Sequence, residues 1–220
     1  MNEEATTRSS VLQNYLLVEG KDDEHVFYSL LEYYQVPRCF KIKNKGSVEN
    51  VLDTLDVELI DSDLGRLGIV VDADFDIAAR WQSIRGKLIR SGYKVPEAPE
   101  TNGTIIQQEG QPVVGIWLMP DNTLPGMLEH FVSFLIPSED SLWPFAQDTL
   151  HKVIEKDRRF QESYLMKAML HTWLAWQERP GTPLGLALTN RYFDAHAPYA
   201  QKLINWLHRL FDIESATERP

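Results

Sequence analysis

The sequence predicts an α/β fold, with a mostly parallel sheet flanked by helices and an all-helical C-terminal extension. Three observations carry this. Short apolar runs alternate with stretches of helical periodicity over residues 14–136. Two of those runs stop abruptly at acidic residues. Beyond Pro137 the apolar residues keep helical spacing alone. The division expected is therefore an α/β domain over residues 1–136 and a helical extension over 137–220, packed on it.

Tyr15-Leu-Leu-Val18 reads as the first strand and runs straight into Glu19-Gly-Lys-Asp-Asp23. Asp22 or Asp23 can cap the helix that follows, because a carboxylate there accepts free backbone N–H groups. Val26, Phe27, Leu30, Leu31 and Tyr34 line one face of that helix, and Pro37 ends it. Phe40 to Lys43 alternates like a strand, and Gly46-Ser47 opens a helix with Val48, Val51, Leu52 and Leu55 inward. Leu67 to Val71 is a strand ending at Asp72-Ala-Asp74-Phe-Asp76, and the next helix runs from Ile77 to about Ser91. Gly92 to Gly103 is a loop. Thr104 to Gln107 and Val113 to Leu118 are strands, and Met127 to Leu135 is a helical stripe. In the extension, Leu142 to Ile154, Leu165 to Trp176 and Ala200 to Phe211 are helical. Trp143, Trp173, Trp176 and Trp206 sit there at helical spacing beside leucines, which suits a core first and a dimer interface next.

Composition excludes several classes. Lys and Arg total 22 against 32 Asp and Glu, a formal charge of −10. Coating nucleic acid by charge alone needs the opposite balance, because that affinity comes from neutralising phosphates. The single cysteine, Cys39, rules out an internal disulfide framework and a cysteine-built zinc site. Val113 to Met119 is too short an apolar run to span a bilayer, which takes about 20 residues. The opening MNEEATTRSS lacks the basic start and apolar run of a signal peptide. The expectation is a cytoplasmic, reduced protein with no membrane contact. The six histidines form no H-x-x-x-H pair, and Ser47 has no G-x-S-x-G surround. A zinc peptidase and a serine hydrolase are both disfavoured.

The acidic set is the strongest chemical signal. Glu19, Asp72 and Asp74 each lie just past an apolar strand. Ligands of open parallel sheets collect at those strand ends. Hard divalent cations such as Mg²⁺ take oxygen ligands. Crowded carboxylates without a cation would repel one another and hold their protons. A structural reading stands beside this one, in which Asp74 or Asp76 simply caps the helix from Ile77.

Leu16-Leu-Val-Glu-Gly-Lys-Asp-Asp23, taken with Gly68-Ile-Val-Val-Asp-Ala-Asp74, resembles the TOPRIM domain of topoisomerases, bacterial primases, small maturation nucleases and OLD-type nucleases. The resemblance covers roughly residues 14–136, and the Gly46-Ser47 turn sits where these domains have a glycine-led helix. His171-Thr-Trp-Leu-Ala-Trp-Gln177 and Pro180-Gly-Thr-Pro-Leu-Gly185 resemble a bacterial TOPRIM-like family of unknown function. The first resemblance implies Mg²⁺ or Mn²⁺ as cofactor and phosphoryl transfer as chemistry. It makes Glu19 the general acid or base, or a ligand, and Asp72 with Asp74 the metal pair. Asp76 falls where some members have a third acid, and Glu129 where OLD-type nucleases carry a helix-borne glutamate. The chain has no cysteine zinc module, no phosphate-binding ATPase loop and no room for a topoisomerase tyrosine domain. A nuclease is the favoured reading, and a non-catalytic scaffold for a metal, nucleotide or protein is its rival. Ile77 replaces a glycine common after the aspartates.

Two readings also hold for the basic residues. Between Ile77 and Val95 there is no acid, while Arg80, Arg85, Lys87, Arg90 and Lys94 are basic. They can grip a DNA or RNA backbone beside the metal, or merely form a solvated face. Lys21 can contact a phosphate near Glu19. Arg38, Lys41, Lys43 and Lys45 form a smaller group that can blunt an edge strand. A homodimer or larger assembly is compatible with all of this.

Overall fold

The computed structural model describes residues 12–214. The polar opening segment, and with it the expectation of no signal peptide, lies outside the described residues. In order, the chain forms β1 (Gln13–Val18), α1 (Lys21–Tyr33), β2 (Lys41–Asn44), α2 (Val48–Leu59), β3 (Leu64–Asp72) and α3 (Ile77–Arg90). Then come β4 (Thr104–Ile106), β5 (Val113–Met119), α4 (Leu128–Ser133), α5 (Leu142–Asp157), α6 (Leu165–Leu174), α7 (Leu184–Thr189) and α8 (Pro198–Phe211). A 3₁₀ turn, Glu162–Tyr164, leads into α6.

The five strands make one sheet in the order β2-β1-β3-β5-β4. Pairing is parallel throughout except for β4, which runs antiparallel to β5. The central strands read as continuous apolar runs because both of their faces are covered. Tyr15, Leu17, Leu67, Ile69 and Val71 face α2 and α3, with Trp81, Ile84 and Leu88 among their partners. Leu16, Val18, Val70, Trp117 and Met119 face the other way, into a core shared with α1, α4 and the C-terminal helices.

The helical extension is therefore one wall of the main core. Leu203, Leu207 and Leu210 of α8 belong to the same buried cluster as Leu16 and Trp117. Trp173 and Trp206 are fully buried, as the spacing suggested, while Trp176 is partly exposed beside Phe145. Arg66 of β3 donates from Nη1 to the Leu210 carbonyl at 2.7 Å, which satisfies a carbonyl at the end of α8. Lys43 on the edge strand β2 and Lys45 just past its end both pair with Glu58 of α2, at 2.7 and 2.8 Å.

Two glycines make the seat for α8. Gly68 and Gly115 are directly paired across β3 and β5, on the face that α8 covers. A Cβ on Gly115 would stand 2.5 Å from Leu210 Cδ2. Replacing Gly115 by Ala is expected to lower stability by about 1–3 kcal/mol, the usual cost of overpacking a tight core. Gly86, inside α3, has nothing nearer to an added Cβ than the flexible tip of Arg90, at 3.6 Å. Gly86→Ala should instead raise stability by about 0.5–1 kcal/mol through helix propensity. Urea denaturation of the two variants beside the parent checks both signs.

Candidate functional site

The carboxyl ends of β1 and β3 lie side by side, since the two strands pair in register from Asn14↔Arg66 to Leu17↔Ile69. Glu19 follows β1, and Asp72 is the last residue of β3. The Asp72 backbone N–H donates to Glu19 Oε1 at 2.7 Å, so one carboxylate is fixed by the backbone of the other. Asp72 Oδ1 in turn accepts the N–H of Leu128 at 3.0 Å, at the start of α4. That bond aims the first turn of α4 at the strand ends and brings Glu129 with it.

An open cleft of about 370 Å³ lies over this edge. Glu19, Asp23, Asp72 and Glu129 line it, and they come from four different elements or their ends. Lys21 and the Gly46-Ser47 turn line it as well. From the C-terminal region come Lys167 of α6 and Tyr164 just before it. Lys167 Nζ stands 3.1 Å from Glu129 Oε1, and Glu129 is only 6% exposed.

Burial of so many acids shifts their protonation. Glu19 is pushed up to about 7, chiefly by burial and further by Asp23 and Asp74, against the Asp72 N–H bond that favours its charge. Asp23 is pushed up to about 6 by burial, with repulsion from Glu129 and Asp22 added. Its Oδ2 accepts the Gly20 N–H at 3.0 Å, which offsets part of that shift. Asp72 is raised well above the usual carboxylate range by burial, then by Glu19, Asp23 and Glu129. Lys167 moves up as well: burial opposes its charge, but the Glu129 carboxylate outweighs that cost.

The predicted site residues part company at Asp74. Its backbone is left-handed, with φ +53°, and its N–H donates to the Gly126 carbonyl at 2.8 Å. Its carboxylate pairs with the Arg80 guanidinium, and Arg80 Nε also donates to the Asp72 carbonyl at 2.9 Å. Asp74 does not line the carboxylate cleft; it borders a neighbouring pocket. Asp76 caps α3, with its Oδ1 accepting the Ala79 N–H at 2.9 Å. The basic residues of α3 are also largely engaged. Arg80 is held by Asp74, Arg85 Nε donates to the Pro96 carbonyl at 3.1 Å, and Lys87 pairs with Asp53 at 3.2 Å. Arg90 sits exposed in the last turn.

Asp23 was hidden from sequence reasoning by its double use. It serves the start of α1 and also enters the cleft, and local pattern reveals only the first role. Lys167 can be read from sequence only as a helical residue of the extension within possible reach of the site, because its place depends on how α6 packs. Among the described residues, no group of three or more His, Cys, Asp and Glu is placed so that it could hold a metal ion. A larger cavity, about 820 Å³, lies elsewhere, between α1 and β2 around Tyr28, Val36 and Phe40. No helix among the described residues is long and apolar enough to cross a membrane.

The family model for DUF3226, a protein of unknown function, matches residues 13–212, and the chain belongs to that family. No curated protein and no solved structure matches the chain.

The raised carboxyl groups set a pH dependence. Their pKa values are near 4 in the unfolded chain and about 6 to 7 in the fold for Asp23 and Glu19. The folded state thus holds protons that the unfolded state has released. Without divalent cations, stability should fall as pH rises from about 4 through the folded values of Asp23 and Glu19 to about 8, and the raised Asp72 adds to the fall in the same direction. The Glu19 share is on the order of 2 kcal/mol. Denaturation at pH 5 and pH 8 in a chelator should show the drop, and Glu19→Gln should shrink it. An unchanged drop in that variant would assign the effect to other groups.

Proposed function

We propose that this chain is a metal-dependent phosphodiester-cleaving enzyme of the TOPRIM type, acting on nucleic acid with Mg²⁺ or Mn²⁺. One observation carries the reading: Glu19, Asp23, Asp72 and Glu129 line one open cleft, and among the described residues Lys167, paired to Glu129, is the only cation in an ion pair with any of them. Such crowding is costly unless protons or a cation relieve it.

The donor set fits a hard cation. All four side chains offer oxygen, and Mg²⁺ keeps several waters and needs only one or two carboxylates beside substrate phosphates. It requires no closed protein cage. The backbone bonds use Glu19 Oε1, Asp72 Oδ1 and Asp23 Oδ2, which leaves the second oxygen of each for a ligand. In this reading one or two of Asp72, Asp23 and Glu129 would hold the ion, since no three acids are placed to share it, and waters and substrate phosphates would supply the rest. When bound, the ion would neutralise charge on the reacting phosphate and acidify a water.

The chain's own groups supply the rest. Glu19, at about 7, is poised to take a proton from an attacking water or return one to a leaving oxygen near neutral pH. Its Oε1 is fixed by the Asp72 N–H, so Oε2 is the oxygen that exchanges the proton. Lys167 offers a charged donor to a phosphate oxygen. Asp74 acts at one remove, by holding Arg80 against the Asp72 carbonyl. The glutamate and the first aspartate of the TOPRIM signature are thus cleft residues, and the second aspartate is an anchor.

That last feature favours the rival reading, a non-catalytic scaffold, because only one carboxylate of the Asp-x-Asp pair faces the cleft. Calorimetry with Mn²⁺ separates the two. The parent protein should bind the ion, and Asp72→Asn should abolish binding. Asp76→Ala should bind as the parent does and lose only about 1 kcal/mol of stability, as removal of a helix cap does. Glu19→Gln should cut metal-dependent cleavage of DNA or RNA by roughly 10²- to 10⁴-fold. A parent protein that binds no Mn²⁺ and cleaves neither nucleic acid would leave the scaffold.

A further inference from the structure

A second, smaller pocket of about 260 Å³ adjoins the carboxylate cleft. The two share Met127, and the start of α6 divides them: Tyr164 and Lys167 line the cleft, Leu165 and Met166 the pocket. Its walls are mostly apolar, with Phe75, Pro125, Met166 and Met169 among them. Its volume falls just short of the roughly 300–1,000 Å³ that takes a drug-sized ligand. One planar ring system is the scale that fits.

Phe75 is the unusual member. It is 71% exposed, and it stands at the tip of the β3–α3 turn, between Asp74 and the capping residue Asp76. The turn is not loose. Asp74 bridges to Gly126, its side chain is tied to Arg80, and Asp76 caps α3. A large aromatic ring is thus held in water by a braced turn, at the mouth of a pocket walled by methionine and proline. Such a residue costs solubility and contributes little to the core. At the polar edge, His130 Nδ1 accepts the Met127 N–H at 3.2 Å, so the neutral ring has its donor on Nε2.

The geometry points to a nucleobase pocket: Phe75, Met127, Met166 and Met169 receive the base of one unpaired nucleotide whose phosphate lies in the carboxylate cleft. This inference rests on the phosphodiester reading and narrows its substrate to single-stranded or locally unpaired nucleic acid. Adjacency supports the assignment. A nucleotide presents a charged phosphate a few ångströms from a flat apolar ring, and this surface presents an acidic cleft beside a mostly apolar recess. Aromatic faces and thioethers stack on any base with little sequence preference. A base inside a duplex is already stacked and paired, and it would have to leave the helix to enter.

Binding, rather than turnover, is the test. Ca²⁺ replaces Mg²⁺, and fluorescence anisotropy is read with three labelled DNA probes. These are a short single strand, its blunt duplex, and a single strand of the same length carrying abasic sites. The parent protein should prefer the intact single strand to both others. Phe75→Ala should weaken binding of that strand about tenfold, with little change for the abasic strand. Phe75→Trp should restore the preference. Because Phe75 is exposed, loss of folding is not the expected route, and an unchanged melting temperature checks this. A parent protein that binds none of the probes, or binds intact and abasic strands alike, overturns the inference. So does a Phe75→Ala variant that weakens all three equally. The Mn²⁺ titration is independent of these probes. Metal binding with no preference for bases sinks the pocket alone. A base preference without metal binding or cleavage sustains the pocket and removes the enzyme.

Discussion

Buried like charge organises this molecule. β1 and β3 are neighbours in a parallel sheet, and each stops at an acid, Glu19 and Asp72, at the same edge. Neither acid points freely into water. The Asp72 N–H holds Glu19, and Asp72 holds the N–H of Leu128. Those two bonds order the strand ends and the entry to α4, yet they leave the negative charge itself uncompensated. Asp23 and Glu129 add to it, and Lys167 answers one of them. Removing a carboxylate from water without a partner costs several kcal/mol, so such groups respond by keeping their protons. A fold gains nothing in stability from this arrangement. Apolar residues of similar size at these positions would bury as well and avoid the repulsion. The cost is therefore intelligible as the cost of a site.

The C-terminal helices are part of that site as well as of the core. α8 rests on the sheet where Gly68 and Gly115 thin its surface, so the sheet cannot be fully covered without it. α7 comes close enough to α1 that a Cβ on Gly185 would meet the His25 carbonyl oxygen at 2.7 Å. α6, packed on α4 and α5, delivers Lys167, with Tyr164 just before it, to the cleft on one side and Met166 and Met169 to the neighbouring pocket on the other. The same helix start therefore walls off a polar compartment from an apolar one. Truncating the chain after the sheet would strip the cation from Glu129 and open half the core at once.

The sheet was legible because parallel strands buried on both faces leave unbroken apolar runs. Every strand came out within a few residues of its expected place, and β4 alone runs antiparallel. Glu19 and Asp72 were legible for the same reason: each ends such a run. Asp74 was not, because a one-residue change of backbone hand lies beyond pattern. At φ +53° the chain turns its carboxylate toward Arg80, one turn into α3, and away from the cleft. Asp76 followed the plainer reading and caps its helix. The basic residues of α3 looked like a free positive face, since sequence records charge and omits partners. Arg80, Arg85 and Lys87 all have partners within the fold. Glu129 entered through a family resemblance, while its burial and its lysine partner are tertiary facts.

Arg80 shows how closely the two compartments are coupled. Its Nε reaches the Asp72 carbonyl, while its other end holds Asp74. The pair fixes the turn on which Phe75 stands. The strand end that presents Asp72 to the acidic cleft and the turn that lifts Phe75 beside the apolar pocket are thus braced by one guanidinium. A planar, permanently charged fork suits that task, because it can hold a carbonyl and a carboxylate at once in fixed geometry. A lysine there would keep the charge and lose the brace. Charge on the acidic side and ring position on the apolar side are set by the same residue, so a ligand that spans both would meet a surface whose two halves are already in register.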